Sequence, residues 1–301
     1  YYLLGRIIEK ASGETYQDFL HKNIFAPLGM KNTALYNPRP LTPNLATGYY
    51  WSLNSFVNAP YHDSSGSFSN GGLISTTNDL LLWDQALYTE KLVSQKSLDE
   101  IFTPDKRDYA YGWIIQKRFN RKSMGHSGSF NGFSSFILRF PDEKLTVIIL
   151  SNSDEASATK VANNLAAIVF GEKYTLPLPK ISDVMAAKIV EKGVDSALEL
   201  YRELKRSQAD KYDLRENWLD SLGWDLLDNK RFVEAIKIFK LVTEEFPASA
   251  NAFDSLGEAY LLNKDYDLAL ANFKKFLGLA PQNDHAKEMV KKVEEILKKE
   301  K

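Results

Sequence analysis

The sequence has no cysteine. Disulfides, thiol nucleophiles and thiolate metal sites are therefore excluded, although this absence says little about compartment. No apolar run approaches the roughly 20 residues that span a bilayer. Charge of either sign is lacking in excess: 38 Lys and Arg stand against 39 Asp and Glu, leaving a net charge of −1 and no electrostatic footprint for nucleic acid or an anionic membrane. His21, His62, His126 and His285 are scattered without metal-ligand spacing, so no metal site is expected. There is no Gly-x-Ser-x-Gly elbow, and Gly71-Gly72 lacks the strand and lysine of a phosphate-binding loop. What is present is globular material, 44% hydrophobic and 26% charged over 301 residues, enough for about two domains.

The chain starts at Tyr1 with no Met, no signal peptide and no helix cap, yet Leu3, Leu4, Ile7 and Ile8 already lie at helical spacing. It reads as a piece of a longer protein. Gly13 stops that helix, and residues 15–25 form a second amphipathic one, left at Pro27 and Gly29. Residues 37–72 are rich in Pro, Asn, Ser, Gly and Tyr and read as a functional loop system without regular structure. Its aromatics Tyr49, Tyr50, Trp51, Phe56, Tyr61 and Phe68 either pack the loop down or wall a substrate cleft. Thr76 or Thr77 caps the next helix. Residues 109–119, 134–141 and 145–152 are β-rich, the last two forming a hairpin through the short turn Pro141–Lys144. A helix then ends at Gly171, and the prolines of "EKYTLPLPK" mark a boundary, giving domains 1–177 and 178–301.

The second domain is all helix and repeats with a period of 34. Leu222-Gly223 returns as Leu256-Gly257, Ala235 as Ala269, Phe239 as Phe273 and Pro247 as Pro281. That period and that order of residues are those of tetratricopeptide repeats. The small residues let two helices of a hairpin approach, and the aromatics fill the groove to the next repeat. Residues 181–206 resemble a degenerate earlier hairpin, with Ala197 and Tyr201 in the repeated positions. Residues 284–301 form a solvating cap helix.

Residues 123–141, "SMGHSGSFNGFSSFILRFP", set His126 beside Ser127 and Gly128 at the head of what reads as a long strand. Taken alone, Ser127 and His126 suggest a nucleophile and its base. The run resembles the His-x-Gly form of the third motif of the serine β-lactamase and penicillin-binding-protein family, in its class C and esterase branch. "YYLLGRIIEKASG", "FSNGGLISTTNDLLLWDQAL" and "YGWII" resemble that family's flanking segments in the right order, over residues 1 to about 170. The resemblance implies the C-terminal part of a serine β-lactamase-like α/β fold, an antiparallel sheet with helices, followed by the all-α tetratricopeptide domain. It implies a serine hydrolase working through an acyl-enzyme on a small ester, amide or peptide substrate, without metal or cofactor, and exported to the periplasm or the cell exterior. The residue roles follow from it. His126 replaces the motif's cationic residue and positions substrate, Ser127 points at the substrate, Gly128 keeps the strand edge bare, and the Ser129 backbone N–H donates into the oxyanion hole.

The family's Ser-x-x-Lys and Tyr-x-Asn motifs are not in their places and are expected upstream of Tyr1. The chain alone should then be inactive. Ser157-Ala158-Thr159-Lys160 matches Ser-x-x-Lys by chance; Phe68-Ser69-Asn70 imitates Tyr-x-Asn but lacks the phenol; His62-Asp63 has the residue types of a base and its orienter, but neighbours in sequence rarely face each other. The competing reading is a protein-interaction module whose tetratricopeptide groove binds a partner peptide while the sheet is a dead scaffold.

Overall fold

A computed structural model of the chain describes residues 1–37, 41–61, 66–154 and 156–299. It divides into two compact units: Tyr1–Trp51 with Phe56–Leu176, and Pro177–Lys301 with the turn Ser52–Ser55.

In the first unit, α1 (Tyr2–Ser12) ends at Gly13 with φ 73°. Helix α2 (Tyr16–Leu20) is capped by Thr15 and continues through a π-turn, His21–Phe25, into the single turn α3 (Ala26–Leu28) before Gly29. The helix expected over 15–25 is thus longer and wider at its end. The segment 37–72, read as structureless, contains regular pieces. Strand β2 (Tyr49–Ser52) turns into β3 (Ser55–Asn58), α4 (Phe68–Gly71) follows, and just outside the segment β1 (Ala34–Leu35) pairs with β4 (Leu73–Ile74). Leu53 and Asn54 supply that turn by taking positive φ, a conformation composition does not announce, and the Trp51 and Phe56 rings close 4.9 Å apart. Ser69, in the imitation of Tyr-x-Asn, is a clamp: its hydroxyl donates to the carbonyls of Tyr1 and Tyr2 at 3.0 and 3.1 Å.

The sheet that follows is an antiparallel meander in sequence order: β5 (Tyr109–Ala110), β6 (Trp113–Arg118), β7 (Arg121–Phe130), β8 (Phe133–Phe140) and β9 (Leu145–Ser151). The β-rich run 109–119 is therefore two strands, broken at Tyr111-Gly112. His126 does not head the strand 134–141; it lies inside β7, which turns into β8 at Asn131-Gly132. Both turn residues have positive φ, 48° and 78°, the two-residue turn for which Asn-Gly is suited.

Alternation along β8 sends Phe136, Leu138 and Phe140 to one face, where Ala158, Ala162 and Ala166 of α7 (Ala158–Phe170) let the helix lie close. It sends Arg139 to the other face, toward α5 (Thr77–Ala86), which Thr76 caps. There the Arg139 guanidinium pairs with Asp84 and donates to its backbone carbonyl at 3.3 Å. Tyr88, Phe102 and Trp113 surround it at 4.7, 5.5 and 5.7 Å. Phe102 follows α6 (Gln95–Ile101), a helix that sequence periodicity did not mark. Trp83 stacks on Trp113 with ring planes 8° apart, so α5 meets the sheet through stacked aromatics and one ion pair.

The second unit is helical throughout its longer elements: α8 (Ile181–Lys192), α9 (Val194–Gln208), α10 (Glu216–Asp228), α11 (Phe232–Glu245), α12 (Ala250–Leu262), α13 (Tyr266–Leu279) and α14 (Asp284–Lys299). The turns fall after Asp228, around Phe246–Ser249 and after Leu262. A Cβ on Gly223 of α10 would stand 2.5 Å from the Phe239 ring of α11, and one on Gly257 of α12 would stand 2.7 Å from Phe273 of α13. The same glycine-on-phenylalanine contact recurs one repeat later, and both phenylalanines are fully buried.

Two stability outcomes follow. Arg139→Ala leaves the Asp84 carboxylate buried without its cation and should cost about 3–5 kcal/mol, while Arg139→Met with Asp84→Leu should recover most of it. Urea titration of the three chains reads this, and a loss under about 1 kcal/mol in the single mutant contradicts it. Gly257→Leu should cost roughly 1–3 kcal/mol by forcing Phe273 aside, and an unchanged denaturation midpoint would remove that packing account.

Candidate active-site edge

The site is built by unequal strand lengths. Strand β6 pairs with β7 only from Arg118↔Arg121 to Ile114↔Gly125. Strand β8 pairs with β7 all the way to Phe130↔Phe133. From His126 onward, β7 therefore has a neighbour strand on one side only. A two-residue turn closes on a doubly hydrogen-bonded pair, so the Arg118–Arg121 pair fixes which residues of β7 bond to β6: positions 121, 123 and 125. The Phe130–Phe133 pair likewise assigns 124, 126, 128 and 130 to β8. The two turns agree. The backbone N–H and C=O of Ser127 and Ser129 consequently point to the side where β6 has stopped, and His126 to Phe130 are all exposed.

Side chains alternate on the same strand. His126 and Gly128 share the α5 face with Met124. Ser127 and Ser129 line the α7 face, in an open cavity of about 590 Å³ that also takes in Ser134, Ser157, Lys160 and Asn163. Ser127 is thus on the opposite face from His126, and the Ser157-x-x-Lys160 pair is brought to the same cavity as Ser127. Ser157 sits at the start of α7 with no capping hydrogen bond from its side chain. At Gly128, an added Cβ would collide with the Ser135 hydroxyl at 2.5 Å.

His126 is held at both nitrogens. Nδ1 lies 2.7 Å from the carbonyl oxygen of Ser127, and Nε2 lies 3.2 Å from the Tyr109 hydroxyl. The two rings meet edge to face, with centroids 5.9 Å apart. Burial pushes the Tyr109 phenol up to about 12, and the neighbouring Tyr1 adds to the rise. Tyr109 escaped the sequence reading: it lies 17 positions from His126, and only strand pairing brings the two together. The Asn131-Gly132 pair was a visible turn signal that would have separated β7 from β8.

Of the other candidates, His62 and Asp63 lie outside the described residues. His21 sits in the π-turn and His285 stands 3.5 Å from Asp254 in the helical unit. Among the described residues no three His, Asp or Glu side chains converge as metal ligands. The helical unit has its own open cavity of about 510 Å³, lined by residues that include Asn217, Asp220, Phe246 and Asn251. Asn217 and Asn251 are one repeat apart, and burial raises the carboxyls of Asp220, Asp254 and Glu258.

The first unit is a mixed fold of helices on an antiparallel sheet, with a bare strand edge. Residues 1–170 match the Beta-lactamase family, and the chain belongs to that family. It is similar to "Penicillin-binding protein 4*" of Bacillus subtilis (strain 168), 35% identical over 199 residues that cover 59% of this chain and 44% of that protein. It is also similar to "D-aminopeptidase" of Brucella anthropi, 27% identical over 180 residues, covering 56% of this chain and 33% of that one. The octameric penicillin-binding protein homologue from Pyrococcus abyssi superposes with a TM-score of 0.51 at 28% identity, over 57% of this chain and 41% of that one. The chain spans less than half the length of these relatives. No helix among the described residues is long and apolar enough to cross a membrane.

The register makes a direct claim about amides. Those of Ser127 and Ser129 should exchange with solvent deuterium much faster than those of His126 and Gly128, which bond to β8. Equal protection at all four would mean that the edge is covered.

Proposed function

We propose that the chain is the C-terminal part of a serine hydrolase that forms an acyl-enzyme on a small ester, amide or peptide substrate, and that the free edge of β7 is where the acyl group lies. The observation that carries this is the pair of outward N–H groups at Ser127 and Ser129 beside His126, in a chain of the Beta-lactamase family whose relatives are named as a penicillin-binding protein and a D-aminopeptidase. In this reading, which takes the class C and esterase branch, the Ser129 N–H is one oxyanion-hole donor. Gly128 leaves room for the substrate and His126 orients it. Ser127 contacts substrate through its edge-facing backbone, its hydroxyl lying on the α7 face away from His126. The nucleophile and its base are not among these roles. The chain has no Tyr-x-Asn, and its one Ser-x-x-Lys, at Ser157, faces the α7 side of the sheet away from His126.

Residues 178–301 are in the same reading a tetratricopeptide domain carried behind a catalytic domain, 1–177 being the part of it present here. The 34-residue period and the recurring glycine–phenylalanine contact support this. A second reading, a binding protein without catalysis, is favoured by one feature: the cavity between α10 and α12, with Asn217 and Asn251 one repeat apart, is a groove of the kind that holds a partner peptide.

The test uses a fluorophosphonate or penicillin probe with mass spectrometry. The 301-residue chain should take no label, and stoichiometric labelling at Ser157 would refute the assignment. The whole hydrolase should be labelled at an upstream serine, and its His126→Ala variant should acylate about 10²–10³-fold more slowly with little change in melting temperature. His126→Lys should retain more activity than His126→Ala. Normal acylation in His126→Ala would remove the edge from the active site, and a whole protein that takes no label at all would favour the binding reading.

A further inference from the structure

The two contacts of His126 determine its tautomer. The Ser127 carbonyl can only accept, so Nδ1 carries a hydrogen and donates at 2.7 Å. In the neutral ring Nε2 is then a lone pair, and the Tyr109 hydroxyl donates to it at 3.2 Å. A phenol is both donor and acceptor. If Nε2 gains a proton, Tyr109 can rotate its O–H away and accept from the new N–H without movement of either ring.

We propose that Tyr109 is the positioning residue of His126: with the Ser127 carbonyl it pins the imidazole beside the free edge of β7 and leaves Nε2 as the only nitrogen that exchanges a proton. Three features of the fold carry this. Tyr109 reaches His126 because β5 pairs with β6, Tyr109↔Ile114, while Ile114 pairs with Gly125, the residue before His126. The edge-to-face ring contact limits rotation about the His126 side chain. The Ser127 carbonyl is available only because β6 has ended; were β6 longer, that oxygen would bond to it. The shortness of β6 therefore makes the free edge and also supplies the acceptor that orients the histidine on it.

The inference rests on the proposed role of His126, and its test separates the two. The 301-residue chain labelled with ¹⁵N-histidine contains four imidazoles, and His126→Gln identifies the signal of interest. At a pH where that ring is neutral, His126 should show a protonated Nδ1 and an unprotonated, hydrogen-bonded Nε2. In Tyr109→Phe the Nε2 resonance should move to the position of a free lone pair while Nδ1 stays protonated. A protonated Nε2, two nitrogens averaged by tautomer exchange, or a spectrum unchanged by Tyr109→Phe would overturn the inference. In the whole hydrolase Tyr109→Phe should lower kcat roughly fivefold, the scale of one hydrogen bond, with KM and melting temperature little changed. Normal kcat would remove the positioning role. If the spectrum is as stated but the whole protein acylates nothing, the hydrolase reading falls and takes the role with it, while the Tyr109–His126 pair stands.

Discussion

The burial of Arg139 is the constraint on which the first unit depends. A guanidinium 1% exposed must have its charge answered, and one carboxylate, one carbonyl and three aromatic rings do so. Each comes from a different part of the chain: Asp84 and Tyr88 from α5 and its end, Phe102 from beyond α6, Trp113 from the first residue of β6. Holding them in place fixes α5 against the sheet and fixes where β6 begins. Arg139 pairs in register with Met124, two residues before His126. The same interaction that anchors the helical side thus lies directly beneath the start of the free edge.

From there the site follows by geometry. The pairing of β6 with β7 ends at Ile114↔Gly125, so β7 runs on past it for five residues, His126 to Phe130. Two backbone N–H groups are left pointing outward, and a histidine is left with a carbonyl and a phenol to hold it. None of this needs a loop to be ordered over the site. The positions are set by strand pairing, the most precise scaffold a small domain offers.

Some of this was legible in the sequence and some was not, for definable reasons. Gly13, Thr76 and Gly171 are local signals, and the helices begin or end on them. The repeat was legible because Gly223 and Gly257 answer the same phenylalanine contact. The family resemblance rested on short runs in order, and the family match over residues 1–170 agrees with it. The free edge was not legible, because it arises from where β6 stops relative to β7, and no residue of β7 records that. Nor was Tyr109, whose importance lies in a contact made two strands away. The segment 37–72 was misjudged because Leu53-Asn54 forms a tight turn without a glycine, and Leu is an unexpected residue at positive φ.

The central claim is that an acyl group lies along β7 with its carbonyl oxygen at Ser129. The measurement that meets it most directly is a crystal structure of the whole protein after reaction with a phosphonate or a penicillin. The account predicts the phosphoryl or acyl oxygen within roughly 2.7–3.1 Å of the Ser129 backbone nitrogen, on the side of β7 vacated by β6. An adduct bound on the α7 face beside Ser157, or any adduct whose oxygen does not meet the Ser129 N–H, would contradict it.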